Sequence, residues 1–255
     1  MEPQLLLMVV HHKSMNTKSY SVKILKDLVI DIKLGNGVFE PTGTSTEIAT
    51  AVNNYIITPG KTLDLGCGSG VVGLALAISK KINGKLFASD LSKEAVSYLK
   101  INSDKYGIDV DARSGSVFDP WNEEKFDYII DDISGVAERI AEISPWFKET
   151  ACESGADGTR LVREAIERSP YHLNENGKFF FPILSLSNSE RIISKANDVY
   201  NNVERISSKQ WQMPKEMASF KDELLTLRDN KIIDFEEKYG WLLWSTDVFV
   251  AYNPR

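Results

Sequence analysis

The sequence predicts an α/β fold, with a mostly parallel sheet covered by helices, and three observations carry that reading. Between residues 61 and 106 apolar runs at 61–65 and 85–89 alternate with helical stretches at 71–79 and 93–106, a β-α-β-α order. A glycine-rich turn, Gly66-Cys67-Gly68-Ser69-Gly70, joins the first of these strands to its helix. Two further strand-like runs, 203–211 and 241–252, stand at the end of the chain, where they would finish the sheet.

The remaining elements follow in order. Residues 20–32 alternate in the strand manner, with Val22 and Ile24 before Lys26-Asp27 and Leu28, Ile30 and Ile32 after, which predicts a hairpin. A short strand is expected at 110–112 and a buried apolar one at 126–130, then helical stretches at 135–143 and 159–169. Gly177 opens a strand over 178–184, and a helix over 189–200 is capped by Ser187 or Asn188. Residues 214–238 are charged but place Leu224, Leu225, Leu227 and Ile232 at helical spacing, too long a stretch for a hairpin turn, so a helical flap is expected there. The domain reading is an N-terminal extension with the hairpin over 1–40 and a main domain over 41–255 that carries a helical insertion at 212–240.

Composition limits the function classes. With 42% hydrophobic and 26% charged residues among 255, the chain reads as globular with one sizeable core. A net charge of -6 counts against a protein that grips long nucleic acid through its phosphates. The apolar run at 5–10 is too short to cross a bilayer and is read as a packing segment. Cys67 and Cys152 form no disulfide framework, which suggests a reducing, cytoplasmic setting, and His11, His12 and His172 show no metal spacing, so no metal is predicted.

The chemistry concentrates in Leu63-Asp64-Leu65-Gly66-Cys67-Gly68-Ser69-Gly70 and in Phe87-Ala88-Ser89-Asp90. Glycines permit positive φ and let the backbone approach a ligand where a Cβ would collide. These stretches resemble the first motifs of class I S-adenosylmethionine-dependent methyltransferases. The resemblance implies a Rossmann-like, seven-stranded sheet with a terminal antiparallel strand and S-adenosyl-L-methionine as cofactor. It places Asp64 and the Gly66 carbonyl at the cofactor's amino-acid moiety, with Cys67, Gly68 and Gly70 in the turn beneath it. Asp90 would accept both ribose hydroxyls, Leu91 would cover one adenine face, and Ser116 and Val117 would meet the ring's edge and other face. Cys67 is assigned to packing rather than to nucleophilic chemistry.

The same glycines also spell Gly68-x-Gly70-x-x-Gly73, the dinucleotide fingerprint, so a nicotinamide-dependent oxidoreductase is an alternative. Asp64, placed where a pyrophosphate would be repelled, and the terminal strand pair count against it.

Residues 37–47, with Phe39, Pro41, Thr46 and Glu47, are similar to the loop that lies over the cofactor in release-factor glutamine methyltransferases, which implicates Thr46 in cofactor binding. Ser45 or Thr46 could equally cap the following helix. The turn at 154–161 and residues 171–178 resemble that group again. The likeness fails where those enzymes carry Asn-Pro-Pro-Tyr, because this chain has Asp132-Ile133-Ser134-Gly135.

Asp132 is the first catalytic candidate and Asp131 the second, since a carboxylate can take the hydrogen bond or proton of an attacking amine. Either could instead cap the next helix. Trp211, Trp241 and Trp244 could wall a pocket or belong to the core, and the run 182–188 could meet substrate or merely end a strand. The expected function is methyl transfer to nitrogen or oxygen of a protein side chain or small molecule; the alternative is a relative of the fold that binds cofactor or partner without catalysis.

Overall fold

The structure, a computed structural model, describes residues 17–25, 28–133, 135–148, 150 and 152–255. The apolar run at 5–10, His11, His12, Lys26, Asp27 and Ser134 lie outside the described residues.

The hairpin forms first, as β1 (Lys18–Leu25) and β2 (Leu28–Leu34), paired antiparallel with Val22 opposite Ile30. Alternation puts Ile30, Ile32 and Leu34 on one face, buried in the main core. The hairpin is a sheet of its own, packed on helices α1 (Gly43–Tyr55) and α3 (Lys93–Lys105).

The main sheet has the order β5-β4-β3-β6-β7-β10-β8. Its strands are β3 (Gly60–Leu65), β4 (Ile82–Asp90), β5 (Val110–Ser114), β6 (Phe126–Asp131), β7 (Leu173–Leu184), β8 (Tyr200–Gln212) and β10 (Trp241–Pro254). Strands β5, β4, β3, β6 and β7 pair in parallel, and β10 runs antiparallel between β7 and β8. Helix α2 (Val71–Ile78) links β3 to β4 on one side, while β6 lies on the other side of β3. The order therefore reverses at β3, and an open α/β sheet forms its ligand crevice at the carboxyl ends beside such a reversal.

Each sheet face carries its own apolar layer. Phe118, Trp121, Phe126, Phe179 and Phe181 fill one, and Leu86, Leu99, Ile130, Phe180 and Val250 the other, all fully buried. Neighbouring Phe179, Phe180 and Phe181 alternate between the two layers, as a strand period of two demands.

Several boundaries differ from the sequence reading. Strand β7 begins at Leu173, before Gly177, because residues 174–177 bulge out of the ladder between the Leu173–Phe126 and Lys178–Tyr128 pairs, with Asn176 at φ +63°. Helix α4 is only Glu138–Ile143, since the Ala137 N–H donates to the Leu186 carbonyl at 2.9 Å and holds Ala137 out of helical geometry, at φ -57° and ψ 139°. Helix α5 is Arg160–Arg168, and Asn188, rather than Ser187, caps α6 (Ser189–Val199) by accepting from the Arg191 N–H.

Between β8 and β10 lie the short helices α7 (Lys215–Ala218) and α8 (Lys221–Asp229) and a strand the sequence reading did not place, β9 (Glu236–Lys238). Strand β9 pairs with β10 through the two-residue loop Tyr239-Gly240. Both loop residues have positive φ, 51° and 79°, which suits the right-handed twist of a tight hairpin. Met213, Met217, Leu224, Ile233 and Phe235 of this stretch form a third apolar cluster with Leu184 and Trp244. The insertion thus packs against the carboxyl edge of β7. Among the described residues no helix is long and apolar enough to cross a membrane.

Candidate active site

A cleft of about 470 Å³ opens at the carboxyl ends of β3, β4 and β6. Its floor is the turn after β3, where Gly66, Gly68 and Gly70 have φ of +69°, +51° and +95°. The Gly66 and Cys67 N–H groups both donate to the Ser89 carbonyl, at 2.8 and 3.0 Å, which ties the turn to β4. At Gly66 a Cβ would lie 2.9 Å from the Ile133 backbone, so this position needs glycine for φ and for space alike. At Gly68 a Cβ would meet nothing within 4 Å: this glycine lines open cleft. Replacing Gly66 with alanine is expected to destabilise the fold by about 1–3 kcal/mol, the usual cost of such strain, read as a lowered thermal midpoint.

Asp64 lies beneath this floor rather than on it. It is fully buried and does not line the cleft; one oxygen accepts from the Gly73 N–H at 2.9 Å and Oδ1 has no partner among the described residues. It braces the first turn of α2 against β3. Asp90 is half-buried and faces the cleft. Its two oxygens accept from the Gly68 N–H at 2.9 Å and the Ser92 N–H at 2.8 Å, which fixes the carboxylate and leaves each oxygen a further lone pair.

The next wall holds Leu91, Ser116 and Val117. Leu91 is 64% exposed and lines the cleft. Val117 is buried with φ +43°, a left-handed conformation that a β-branched residue rarely adopts. Such strain persists where the surroundings enforce it, and binding sites are where it collects.

Opposite, the loop at 37–42 contributes Phe39 and Pro41, and the first turn of α1 contributes Thr44 and Ser45. Thr46 is not on the cleft wall: its hydroxyl donates to the Gly43 carbonyl at 2.8 Å. The helix cap is Thr42, which accepts from the Thr44 N–H, not Ser45 or Thr46.

The two acids after β6 separate. Asp131 is fully buried; one oxygen accepts from the Ile133 N–H at 2.9 Å and the other has no partner among the described residues. Burial, opposed by that hydrogen bond and reinforced by Asp132, pushes its pKa up to about 8. Asp132 is half-buried on the cleft wall, and its N–H donates to the Leu65 carbonyl at 2.9 Å. Burial pushes it up to about 7, with the Ser45 hydroxyl lowering it and Asp90 raising it. Burial, Asp132 and the other two acids, opposed by the Gly73 N–H, raise Asp64 well above the carboxylate range, and burial also raises Asp90.

Asp64, Asp90, Asp131 and Asp132 thus crowd one turn, and none forms an ion pair among the described residues. A cationic ligand compensates such a floor, whereas a pyrophosphate would be repelled by it. The acidic floor and the bare face at Gly68 therefore fit a cofactor bearing a sulfonium and an ammonium.

The far half of the cleft is aromatic: Trp146 and Phe147 from the loop after α4, and Trp244 from β10. Phe39 and Phe147 stand 5.1 Å apart between ring centroids, and Trp146 and Trp244 5.3 Å. Trp211 packs on Trp244 and Gly43 outside the wall, and Trp241 is half exposed. Leu184 alone of the 182–188 run lines the cleft. Arg160 stands there too, paired with Glu153. The sequence reading missed Trp146, Phe147, Thr150 and Arg160, whose spacing in the chain shows no periodic signal.

Other candidates take structural places. Cys67 is buried, with its thiol pushed well up by burial, hence unreactive. His172 stacks on Phe118 at 4.4 Å with Nδ1 3.1 Å from the Glu124 carbonyl oxygen.

This sheet order, with a glycine turn after its first core strand, an acid ending the second and an acid-lined cleft, defines the class I methyltransferase fold. A family model described as "Methyltransferase small domain" matches residues 29–132. The chain is 28% identical over 131 residues to the release factor glutamine methyltransferase of Enterococcus faecalis, covering 49% of this chain and 47% of the relative. It is 30% identical over 175 residues to the ribosomal protein L11 methyltransferase of Lactobacillus johnsonii, covering 66% of this chain and 47% of that one. The chain spans about half the length of these curated relatives. Among solved structures, a T. thermophilus 16S rRNA methyltransferase in complex with AdoMet and guanosine matches with a TM-score of 0.56 at 14% identity, over 94% of this chain and 51% of that one. The family-model match, these methyltransferase relatives and the shared fold together support a class I S-adenosylmethionine-dependent methyltransferase with S-adenosylmethionine as its cofactor.

Proposed function

We propose that this protein transfers the methyl group of S-adenosylmethionine to a nitrogen of a protein side chain or small molecule. The observation that carries the reading is the placement of Asp132, whose carboxylate faces the same cleft as Asp90 and the glycine turn. When bound, the cofactor supplies an electrophilic methyl on a positively charged sulfur.

Asp90 would hold the ribose, and the Gly66–Gly68 backbone the amino-acid end. Leu91 and Val117 would clasp the adenine. Most of the acceleration then comes from holding the nucleophile in line at attack distance. Asp132 receives a hydrogen bond from the acceptor nitrogen and takes its proton at a carboxylate oxygen. A group near pH 7 is well matched to that task. Oxygen acceptors are served by the same geometry; nitrogen is favoured because an acid accepts from N–H groups and would repel a carboxylate acceptor. The partner is accordingly a protein or small-molecule acceptor.

The test is incubation of cell extract with S-adenosylmethionine labelled on the methyl group, followed by sorting of the label into protein, nucleic acid and small-molecule fractions. Label entering protein or small molecules is expected. Cofactor binding without any incorporation would instead favour a non-catalytic relative of the fold.

The buried acids also predict a pH dependence. A carboxyl whose pKa is raised on folding keeps its proton in the folded state at pH values where the unfolded chain has lost it. Its burial therefore costs stability increasingly as pH rises from about 4 towards the folded pKa. With Asp132 near 7 and Asp131 near 8, the ligand-free protein is expected to melt at a lower temperature at pH 8.5 than at pH 6. Thermal melts of the wild type and of Asp131→Asn at both pH values measure this; an equal pH effect in the two proteins would remove Asp131 as its source.

A further inference from the structure

We propose that a groove beside the cleft, lined by Arg160, Arg163 and Arg191, binds a carboxylate carried by the methyl acceptor. The inference rests on the functional reading above and names a group that the acceptor bears away from its reacting nitrogen.

Helix α5 and the first turn of α6 frame this groove, a polar hollow of about 400 Å³. Arg160 lines both the groove and the cleft, so a ligand in one lies beside a ligand in the other. Two of the three guanidinium groups are engaged, Arg160 with Glu153 at 3.3 Å and Arg191 with Asp157. Arg163 has no ion pair among the described residues, and its Nε is buried without a hydrogen-bond partner there. Its usual helical partner four residues on, Glu167, is taken by Lys195 of α6 at 2.9 Å, and Glu164 by Arg168 at 2.9 Å. Every acid on the groove thus has a cation of its own, while Arg163 stands without a counter-charge.

A guanidinium presents a planar fork of donors that matches a carboxylate through two parallel hydrogen bonds. A phosphate dianion suits the groove less, because Asp157, Glu164 and Glu167 line it as well and repel a second negative charge. The adjoining cleft is acidic, with Asp90 and Asp132 on its wall. An acceptor that places its nitrogen at Asp132 and a carboxylate at Arg163 is therefore matched in charge at both ends. Two sources carry such a group: an aspartate or glutamate close to the methylated residue of a protein, and the carboxylate of a small amino-acid-like compound.

The test uses protein saturated with S-adenosylhomocysteine and follows the arginine Nε–H resonances by NMR; the Arg163 signal is the one absent from Arg163→Gln. Propionate, its neutral isostere propionamide and inorganic phosphate are titrated separately at constant ionic strength. Propionate is expected to move the Arg163 signal saturably and propionamide to leave it in place. Arg163→Gln should bind propionate about tenfold or more weakly, the worth of a charged hydrogen bond, with Arg163→Lys in between. Saturating propionate should also inhibit labelled-methyl incorporation from cell extract by the wild type. Loss of label from the protein fraction points to an acidic side chain, and loss from the small-molecule fraction to a small carboxylate. The inference is overturned if propionate leaves the signal in place, if propionamide or phosphate moves it as readily, or if incorporation is indifferent to saturating propionate. Retained S-adenosylhomocysteine binding by Arg163→Gln shows that the variant is folded. Failure of the wild type to bind S-adenosylhomocysteine would bring down the functional reading itself, which distinguishes the two failures.

Discussion

Asp132→Asn is expected to lower methyl incorporation about a hundredfold or more while leaving S-adenosylhomocysteine affinity within a few-fold of wild type. The loss follows from the loss of a proton acceptor at the acid that stands on the cleft wall after β6. Asparagine keeps the shape and can still accept a hydrogen bond, so the variant isolates proton acceptance from packing. Asp131→Asn, by contrast, replaces a fully buried carboxyl group that accepts from the Ile133 N–H, and its effect is expected on stability. The comparison is made by labelled-methyl incorporation and by calorimetric titration with S-adenosylhomocysteine. Unchanged incorporation in Asp132→Asn would remove this residue from the mechanism.

Asp90→Ala is expected to weaken cofactor binding about a hundredfold or more. A hydrogen bond to a charged acceptor contributes about 1.5–3 kcal/mol, and two ribose hydroxyls would be lost together. The carboxylate is already fixed by the Gly68 and Ser92 N–H groups, so little ordering cost accompanies binding. The same titration measures it. An affinity within threefold of wild type would mean that the ribose is held elsewhere.

The fold was legible because its signals are local. The β-α-β-α alternation, the glycine turn and the acid ending β4 all lie within one stretch of chain, where period and spacing speak directly. Asp64 was read correctly as a strand-end residue, yet its depth was not legible. Whether an acid at the end of a strand meets the ligand or braces the turn depends on which face its Cβ takes, and here it supports Gly73 from below. Thr46 shows the same limit, since a one-turn difference in where α1 begins moves its hydroxyl from the cleft to the Gly43 carbonyl.

The aromatic half of the cleft was illegible for another reason. Trp146, Phe147 and Trp244 come from segments about a hundred residues apart, and only the antiparallel insertion of β10 beside β7 brings them together. Strand β9 escaped because three charged residues carry no apolar alternation; its pairing is set by the Tyr239-Gly240 turn. Glycine and acid motifs can be read from sequence when backbone geometry demands them. Pocket walls built by tertiary contact cannot.

The central claim is that the acid-lined glycine turn is built for a sulfonium cofactor. Calorimetric titration of the protein with S-adenosylmethionine, S-adenosylhomocysteine and NAD tests it most directly. Saturable binding of the two sulfur compounds at a single site, lost in Asp90→Ala, with no binding of NAD, is the predicted result. Binding of NAD with neither sulfur compound bound would contradict it.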